Sequence, residues 1–326
     1  MKIMILVNKD FEYAGYISGV ETRMTAGATP HLHIVSQNRD TVNGRFSPLC
    51  LYELETSTGE KHTISEYCIN NFFEDGKNSS NSQIKYGLLT ELFNKLQAEN
   101  NLPDYIISVS TSESTKYSQG VSLKDNPVME EKSVNGCVYM GNKFFAHDCR
   151  KHDRPKGKPS ELVVDKYLDN QPIFSEFYRC VKNHQTELTA GMVNLPKYPA
   201  NKLACFADIN DTSLGVINIT NYERYPDADK ATSDAFDKYN MEIKSGRLNP
   251  VGLETTHAVV KKAVKGLMIP VLFVSPIVDR YLCFNSDVVG NWGEQNRKGS
   301  YNAGVVVANM LECFRDKFPK NFKEEE

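Results

Sequence analysis

Continuous apolar runs alternate with helical spacings of apolar residues along the chain. The run Lys2–Val7 has no regular polar alternation, which predicts a strand covered on both faces. Residues 86–100 place leucine and phenylalanine three or four positions apart, which predicts a helix with one buried face. Tyr105–Val109 then predicts a second buried strand. A helix followed by a buried strand is typical of a parallel sheet.

The last third of the chain has the clearest pattern. Asn249 begins a stretch with proline and glycine that predicts a turn, and a helix is predicted over residues 255–265. Pro270 precedes a short apolar strand over residues 271–274. A final helix is predicted to begin near Tyr301.

The middle of the chain is more polar and gives weaker patterns. It predicts strands over residues 136–140, 202–207 and 214–220, helices over 176–189 and 231–239, and a charged loop over 150–158. Repeats, heptads and an interdomain linker are not visible in the sequence. We therefore predict one α/β domain over residues 1–326, a twisted mixed central sheet flanked by helices, with insertions at about 13–85 and 221–249.

Composition narrows the class of protein. The net charge of -3 argues against a dedicated nucleic-acid binder, which normally has a strong basic excess. The opening MKIMILVNKDFE has too short an apolar run for a signal peptide, and no segment is long enough for a membrane span. The eight cysteines are widely scattered, which favours reduced thiols in a cytoplasmic protein and predicts no metal site.

Polar residues follow the predicted buried strands. Residues 8–12 (NKDFE), 110–115 (STSEST) and 275–280 (SPIVDR) each come directly after an apolar run. Ligands in open α/β folds collect at the carboxyl ends of the strands. The sequence therefore predicts an acidic, hydroxyl-lined pocket, which suits a sugar or a nucleoside better than an anion.

The order of the C-terminal elements is more specific. Glu254 is predicted to open a helix, a buried strand follows, Asp279 comes after that strand, and Asn302 and Ala303 belong to the last helix. This order resembles the purine nucleoside phosphorylase and methylthioadenosine/S-adenosylhomocysteine nucleosidase superfamily. The pair Leu253-Glu254 stands where that family has Met-Glu, and Ile277-Val-Asp279 stands where it has Ile-Ser-Asp.

Three further segments match the family in the same order. The opening strand is similar, and Glu12 falls where the nucleosidases place an acidic residue. Residues 108–114 stand in place of the family's glycine-rich loop, and residues 138–148 look like its strand that ends in Tyr-His-Asp. The resemblance thus touches both ends and the middle of the chain.

The resemblance implies cleavage of the N-glycosidic bond of a purine nucleoside or nucleotide by a homo-oligomer without a cofactor. Asp279 would be the acid that protonates the leaving base, Glu254 would accept both ribose hydroxyls, and Glu12 would activate water. The other residues implied to bind substrate are Leu253, Ser110, Thr111 and Ser112. Phosphate would be the co-substrate if the protein is a phosphorylase.

Simpler interpretations of these residues remain open. An acidic residue in the first turn of a helix is stabilised by the helix dipole whatever its function, which applies to Glu254. Asp279 and Arg280 are compatible with a surface ion pair, Glu12 with a solvated loop, and His257 with a packed or capping position rather than a base. The alternative function is a non-catalytic nucleoside- or nucleotide-binding sensor or effector module.

The sequence also departs from the family pattern. Gly252 stands where the nucleosidases carry a second acidic residue, and Ser275 where many members carry arginine. The glycine-rich turn has become Ser-Thr-Ser-Glu113-Ser, in which side-chain hydroxyls and a carboxylate replace close backbone approach. Because Glu113 would repel a phosphate anion, the sequence favours hydrolysis over phosphorolysis.

Overall fold

The computed structural model describes residues 1–38, 45–73, 81–115, 134–148, 162–163, 172–207, 214–220, 249–288 and 292–318. The strands are β1 (Lys2–Val7), β2 (Leu32–Gln37), β3 (Cys50–Glu55), β4 (Lys61–Cys68), β5 (Tyr105–Val109), β6 (Ser112–Ser114), β7 (Val138–Gly141), β8 (Lys143–Asp148), β9 (Leu162–Val163), β10 (Cys205–Phe206), β11 (Leu214–Thr220), β12 (Asn249–Glu254) and β13 (Val271–Asp279). The helices are α1 (Asp10–Thr25), α2 (Ser82–Ala98), α3 (Pro172–Asn183), α4 (Gln185–Thr189), α5 (His257–Ala263), α6 (Phe284–Asp287) and α7 (Trp292–Phe314), with a 3-10 turn at Ile69–Phe72.

The strands described form one 13-stranded mixed sheet, which confirms the predicted fold class. Its order is β2-β3-β4-β1-β5-β13-β6-β12-β11-β8-β9, and β7 pairs with β13 and β10. The central strands β1, β5 and β13 run parallel, with Val7 opposite Val109 and Val109 opposite Val274. Their carboxyl ends therefore lie side by side, which is where the sequence predicts the polar residues.

Helices cover both faces of the sheet. Along β1, Ile3, Ile5 and Val7 pack into the core with α1, α3, α4 and α7, whereas Met4 and Leu6 pack into the core with α2 and α5. This two-sided burial explains why the strand is an uninterrupted apolar run. Among the described residues, no helix combines the length and apolar character that a membrane crossing requires.

The strand predicted over residues 271–274 continues to Asp279, and all nine of its residues are buried. Pro276 has no backbone N–H to donate, which in the sequence argues against a longer strand. The next residue, Ile277, forms the backbone hydrogen bonds instead. Gly136 N donates to Ile277 O at 2.7 Å, and Ile277 N donates to Cys137 O at 2.9 Å. β13 thus pairs with β5 by its first half and with β6 by its last residues.

Other boundaries also differ from the prediction. The stretch predicted as a turn is strand β12, which lies between β11 and β6, and the following helix begins only at His257. The segment 13–85, predicted as an insertion, contains most of α1 and the strands β2, β3 and β4, which extend the sheet beyond β1. The predicted helix over 231–239 and the loop over 150–158 lie outside the described residues.

Helix α7 begins at Trp292, well before the predicted start near Tyr301, and crosses α1 at close range. Two glycines make this approach possible. A Cβ atom at Gly304 would overlap the carbonyl oxygen of Tyr16, and one at Gly19 would overlap the carbonyl oxygen of Tyr301. Gly19 and Gly304 are therefore part of the packing between the two helices.

Replacing Gly304 with alanine is expected to destabilise the protein by about 1–3 kcal/mol or more, because two helix backbones would have to separate. Gly293→Ala, in the same helix, is the matched control, since a Cβ atom there would have no heavy atom of the described residues within 4 Å. That control should be neutral or stabilising by up to about 1 kcal/mol. Urea unfolding of both variants measures the difference, and equal stabilities would contradict the close crossing.

Candidate active site

One buried lysine joins the carboxyl ends of several strands. Lys85, on α2, is fully buried. Its Nζ donates to Asn8 Oδ1 at 2.8 Å, to Thr256 Oγ1 at 2.8 Å and to Thr255 O at 3.4 Å. Asn8 Nδ2 in turn donates to Ser110 Oγ at 3.2 Å. The residues that follow β1, β5 and β12 therefore belong to one hydrogen-bonded network.

Glu254 is the last residue of β12 and is buried. Its Oε2 accepts hydrogen bonds from Thr256 N and from His257 N, the latter at 2.9 Å. Its Oε1 is buried and has no hydrogen-bond partner among the residues that the structure describes. The prediction that Glu254 opens a helix is wrong in position, because the side chain caps α5 from the end of a strand. One carboxylate oxygen is therefore fixed by the backbone, whereas the other has no donor in the described part of the chain.

The pKa of Glu254 is raised to about 8, chiefly because burial removes the carboxylate from water. The two backbone N–H donors and the charge of Lys85 act in the opposite direction, whereas the charge of Glu12 raises the pKa further. Glu254 and Glu12 are therefore close enough to interact electrostatically. Within this network, the positive charge of Lys85 acts against this rise in the pKa of Glu254.

Glu12, in the first turn of α1, is buried and is not a solvated loop residue. Its Oε1 accepts from Thr111 N at 3.1 Å and from Thr111 Oγ1 at 2.5 Å, and its Oε2 accepts from Lys9 N at 3.0 Å. Burial raises its pKa, and these hydrogen bonds oppose the rise. The Glu12 carboxylate thus links the start of α1 to the segment after β5 through hydrogen bonds.

Asp279 is buried at the end of β13. It lies opposite Glu113 of β6, and Glu113 lies opposite Leu253 of β12. Because neighbouring strands are about 4.8 Å apart, the ends of β12 and β13 are separated by about 10 Å. The backbone therefore places Asp279 and Glu254 at a separation comparable to the length of a nucleoside.

Arg280 does not form the surface ion pair with Asp279 that the sequence allows. Its guanidinium is buried and pairs with Asp287 of α6, with Nη2 donating to Oδ1 at 2.9 Å and Nε to Oδ2 at 3.0 Å. The Arg280 Cζ atom also lies 3.4 Å from the centre of the Tyr198 ring. This contact anchors the chain directly after Asp279.

His257 is a packed residue, as the sequence favours. Its Nδ1 lies 2.8 Å from Ser108 Oγ, its Nε2 lies 2.8 Å from Ser275 Oγ, and Ser112 Oγ donates to Ser275 Oγ at 3.0 Å. Burial lowers the pKa of His257 to about 3, so the ring is neutral near pH 7. A neutral imidazole donates one hydrogen bond and accepts one, which matches its two serine partners.

The hydroxyl residues implied to bind substrate all have protein partners. Ser110 accepts from Asn8, Thr111 donates to Glu12, and Ser112 donates to Ser275. Leu253 is buried and lies opposite Glu113. Their substrate-binding role stays a prediction.

Comparison with known proteins gives structural matches only. No protein-family model matches the chain, and no curated protein sequence matches it. The apo 5'-methylthioadenosine nucleosidase of Arabidopsis thaliana is similar, with TM-score 0.51, 13% identity, and coverage of 96% of this chain and 95% of that one. A methylthioadenosine phosphorylase from an Antarctic soil metagenomic library has TM-score 0.51, 12% identity, and coverage of 98% and 88%. The S-adenosylhomocysteine nucleosidase of Streptococcus pyogenes, in complex with 5-methylthiotubericidin, has TM-score 0.50, 14% identity, and coverage of 98% of both chains.

The chain has the nucleosidase and nucleoside phosphorylase fold. The resemblance stated from the sequence is thereby confirmed at the level of the fold, over nearly the whole chain.

Gly252, which differs from the family pattern, packs closely against Ser112. A Cβ atom at position 252 would lie 3.0 Å from Ser112 Cβ and 3.2 Å from Ser112 Oγ. A side chain at position 252 would therefore press against Ser112, which donates a hydrogen bond to Ser275. The serine-rich turn and Gly252 are therefore two parts of one packing arrangement.

Lys85 is the site residue that the sequence analysis missed. It lies three and four positions before Leu88 and Leu89 on the buried face of α2, so the pattern contained a signal. The predicted helix began at residue 86, which left Lys85 in the preceding loop. The structure begins the helix at Ser82, where Asn81 Oδ1 accepts from Gln83 N at 3.0 Å.

Proposed function

We propose that the protein cleaves the N-glycosidic bond of a purine nucleoside or nucleotide, with water rather than phosphate as the nucleophile. The observation that carries this proposal is the Glu254 carboxylate at the strand ends of a nucleosidase-like fold. One of its oxygens is fixed by two backbone N–H groups. The other oxygen is buried without a partner in the described part of the chain.

A buried acceptor without a donor is costly unless a ligand supplies the donor. Ribose hydroxyls are donors of the required kind. An ionised Glu254 would accept them, orient the sugar, and stabilise the positive charge that develops on the ribosyl group as the bond breaks. The fixed Oε2 limits rotation of the carboxylate, so the position for the sugar exists before it binds.

The two other carboxyl groups complete the reaction. The proton of Asp279 moves to N7 of the purine as the glycosidic bond breaks, and the bonding electron pair leaves with the base, which departs neutral. The oxygen of a water molecule bonds to the anomeric carbon, and the proton of that water passes to Glu12. Burial raises the pKa of Glu12, which makes its carboxylate a stronger base.

The charges around the site support water as the nucleophile. Glu12, Glu113 and Glu254 would all repel a phosphate anion. The ammonium group of Lys85 donates to protein oxygens on three sides, which satisfies it within the protein. A neutral water molecule meets no such repulsion.

A panel of purine nucleosides and nucleotides, incubated with and without phosphate, tests the proposal through release of free base. With the best substrate, Glu254→Gln is expected to lower kcat/KM by about 10- to 100-fold, since a hydrogen bond to a charged group is worth about 1.5–3 kcal/mol. Glu53→Gln is the control, because Glu53 lies on β3 and pairs with Lys61 at the exposed surface. Its kcat/KM should equal that of the wild type.

The outcomes separate the alternatives. Failure of the wild type to release base from any member of the panel would sink the enzymatic proposal. If ligands then still raise the unfolding temperature, the protein is a binding module of the sensor or effector kind. Base release that requires phosphate would overturn the choice of water as nucleophile.

A further inference from the structure

We infer that Lys85 is a positioning residue that favours the ionised, ribose-binding form of Glu254 and joins the strand ends around it by hydrogen bonds. The inference rests on the proposed function, because it assigns Lys85 a role in the reaction through Glu254. Lys85 itself is not expected to touch the substrate.

Lys85 is placed so that its charge can act on Glu254. Its side chain leaves the buried face of α2, and its Nζ atom donates to three oxygen atoms at 2.8, 2.8 and 3.4 Å. One of them, Thr256 Oγ1, belongs to the residue whose backbone N–H donates to Glu254. The ammonium group is therefore held against the residue that binds the carboxylate, and Lys85, Thr256 and Glu254 are all buried.

The other charged groups near Glu254 explain why a cation is needed. Glu12 on α1 raises the pKa of Glu254, and burial raises it more. His257 on α5 is neutral, because burial lowers its pKa to about 3. On β6, the carboxylate of Glu113 is directed elsewhere, with its Oε1 accepting from Leu282 N at 2.8 Å. Lys85 is the cation that lowers the pKa of Glu254.

Removing the charge of Lys85 should therefore favour the protonated form of Glu254. A protonated carboxyl has one acceptor oxygen fewer for the ribose hydroxyls, so kcat/KM should rise with pH as Glu254 ionises. In the wild type that rise is expected around pH 8, where the pKa of Glu254 lies. Loss of a nearby opposite charge moves such a midpoint upward by about 1 pH unit or more.

The test uses Lys85→Met, which keeps the length of the side chain, and Lys85→Gln, which keeps amide donors without the charge. For both variants the midpoint of kcat/KM against pH is expected to move upward by about 1 unit or more, with activity recovering above it. Lys95→Met is the control, because Lys95 lies on the same helix and is exposed. Its midpoint should match that of the wild type.

A purely structural role for Lys85 predicts a different result: an equal loss of kcat/KM at every pH with no movement of the midpoint. That result overturns the inference. Carboxyl resonances measured by 13C NMR in wild type, Lys85→Met and Glu254→Gln follow the titration of Glu254 without substrate. A shifted titration in a protein that releases no base would refute the proposed function and leave the coupling of Lys85 to Glu254 standing.

Stability gives a third measurement if Lys85→Met is poorly folded. At pH 9, adding Glu254→Gln should raise the unfolding temperature more in Lys85→Met than in the protein that keeps Lys85, because the lysine charge offsets part of the cost of burying the carboxylate. An equal rise in the two backgrounds would show that the two charges are not coupled, which also overturns the inference.

Discussion

Asp279→Asn is expected to lower kcat/KM for release of the purine base by about 10²- to 10⁴-fold, the usual contribution of a general acid. Asparagine keeps the shape of the side chain and a hydrogen-bond donor, but it has no proton to transfer to N7. The base would then have to leave as an anion. Steady-state kinetics on the best substrate of the nucleoside panel measures the loss.

Two controls make this result specific. Asp10→Asn removes an exposed carboxylate from the same end of the sheet and should leave kcat/KM unchanged. A riboside with a leaving group that is stable as an anion, such as 4-nitrophenyl riboside, needs no protonation, so Asp279→Asn should slow its cleavage far less. Equal losses on both substrates would assign Asp279 to binding, and no loss on either would remove it from the mechanism.

The sequence predicted the parts of the fold in which one local signal dominates. β1, β5 and β11 match the predicted bounds, and in β1 and β5 the signal is a mostly apolar run, as expected for strands covered on both faces. The continuation of β13 past Pro276 was missed because proline normally ends a strand, whereas here neighbouring residues carry the hydrogen bonds. In that case tertiary context overrides the local preference.

The carboxylates of the site were predicted from a resemblance, but their partners could not be. Lys85 and Thr256 are 171 positions apart, and Glu12 and Thr111 are 99 positions apart. Hydrogen bonds over such separations follow from the order of the strands, which the sequence pattern alone does not specify. The same limit applies to Gly252, whose closeness to Ser112 arises only when β12 and β6 are paired.

A further buried acid, outside the hydrogen-bonded network of Lys85, was not predicted. Glu66 lies on β4 and is buried. Its Oε2 accepts from the hydroxyls of Tyr52 at 3.0 Å and Tyr13 at 3.5 Å. Burial raises its pKa to about 8 although these tyrosines act to lower it. No role in the proposed reaction requires this arrangement, so its expected effect is on stability.

The direction of the effect on stability follows from the pKa of Glu66 in the folded and in the unfolded chain. In the unfolded chain Glu66 has its ordinary pKa near 4.5, and in the folded protein its pKa is about 8. Below pH 4.5 both states keep the proton, and above pH 8 both have lost it. Between these values only the unfolded chain releases it, so the free energy of unfolding falls as pH rises, by about 5 kcal/mol in total.

Glu66→Gln is expected to remove this contribution, because an amide does not titrate and can still accept from the tyrosine hydroxyls. Urea unfolding at a series of pH values from 5 to 9 should show the variant gaining stability relative to the wild type by about 4 kcal/mol across the range, since part of the total change lies below pH 5. The pKa of Glu254 is also about 8, but its contribution is present in both proteins and cancels in the difference.

Glu53→Gln on the neighbouring strand β3 is the control, because it removes an exposed carboxylate that pairs with Lys61. Its free energy of unfolding should run parallel to that of the wild type from pH 5 to 9. If the curve for Glu66→Gln is also parallel, Glu66 is ionised in the folded protein throughout that range. The tyrosine hydroxyls would then stabilise its charge by more than burial opposes it.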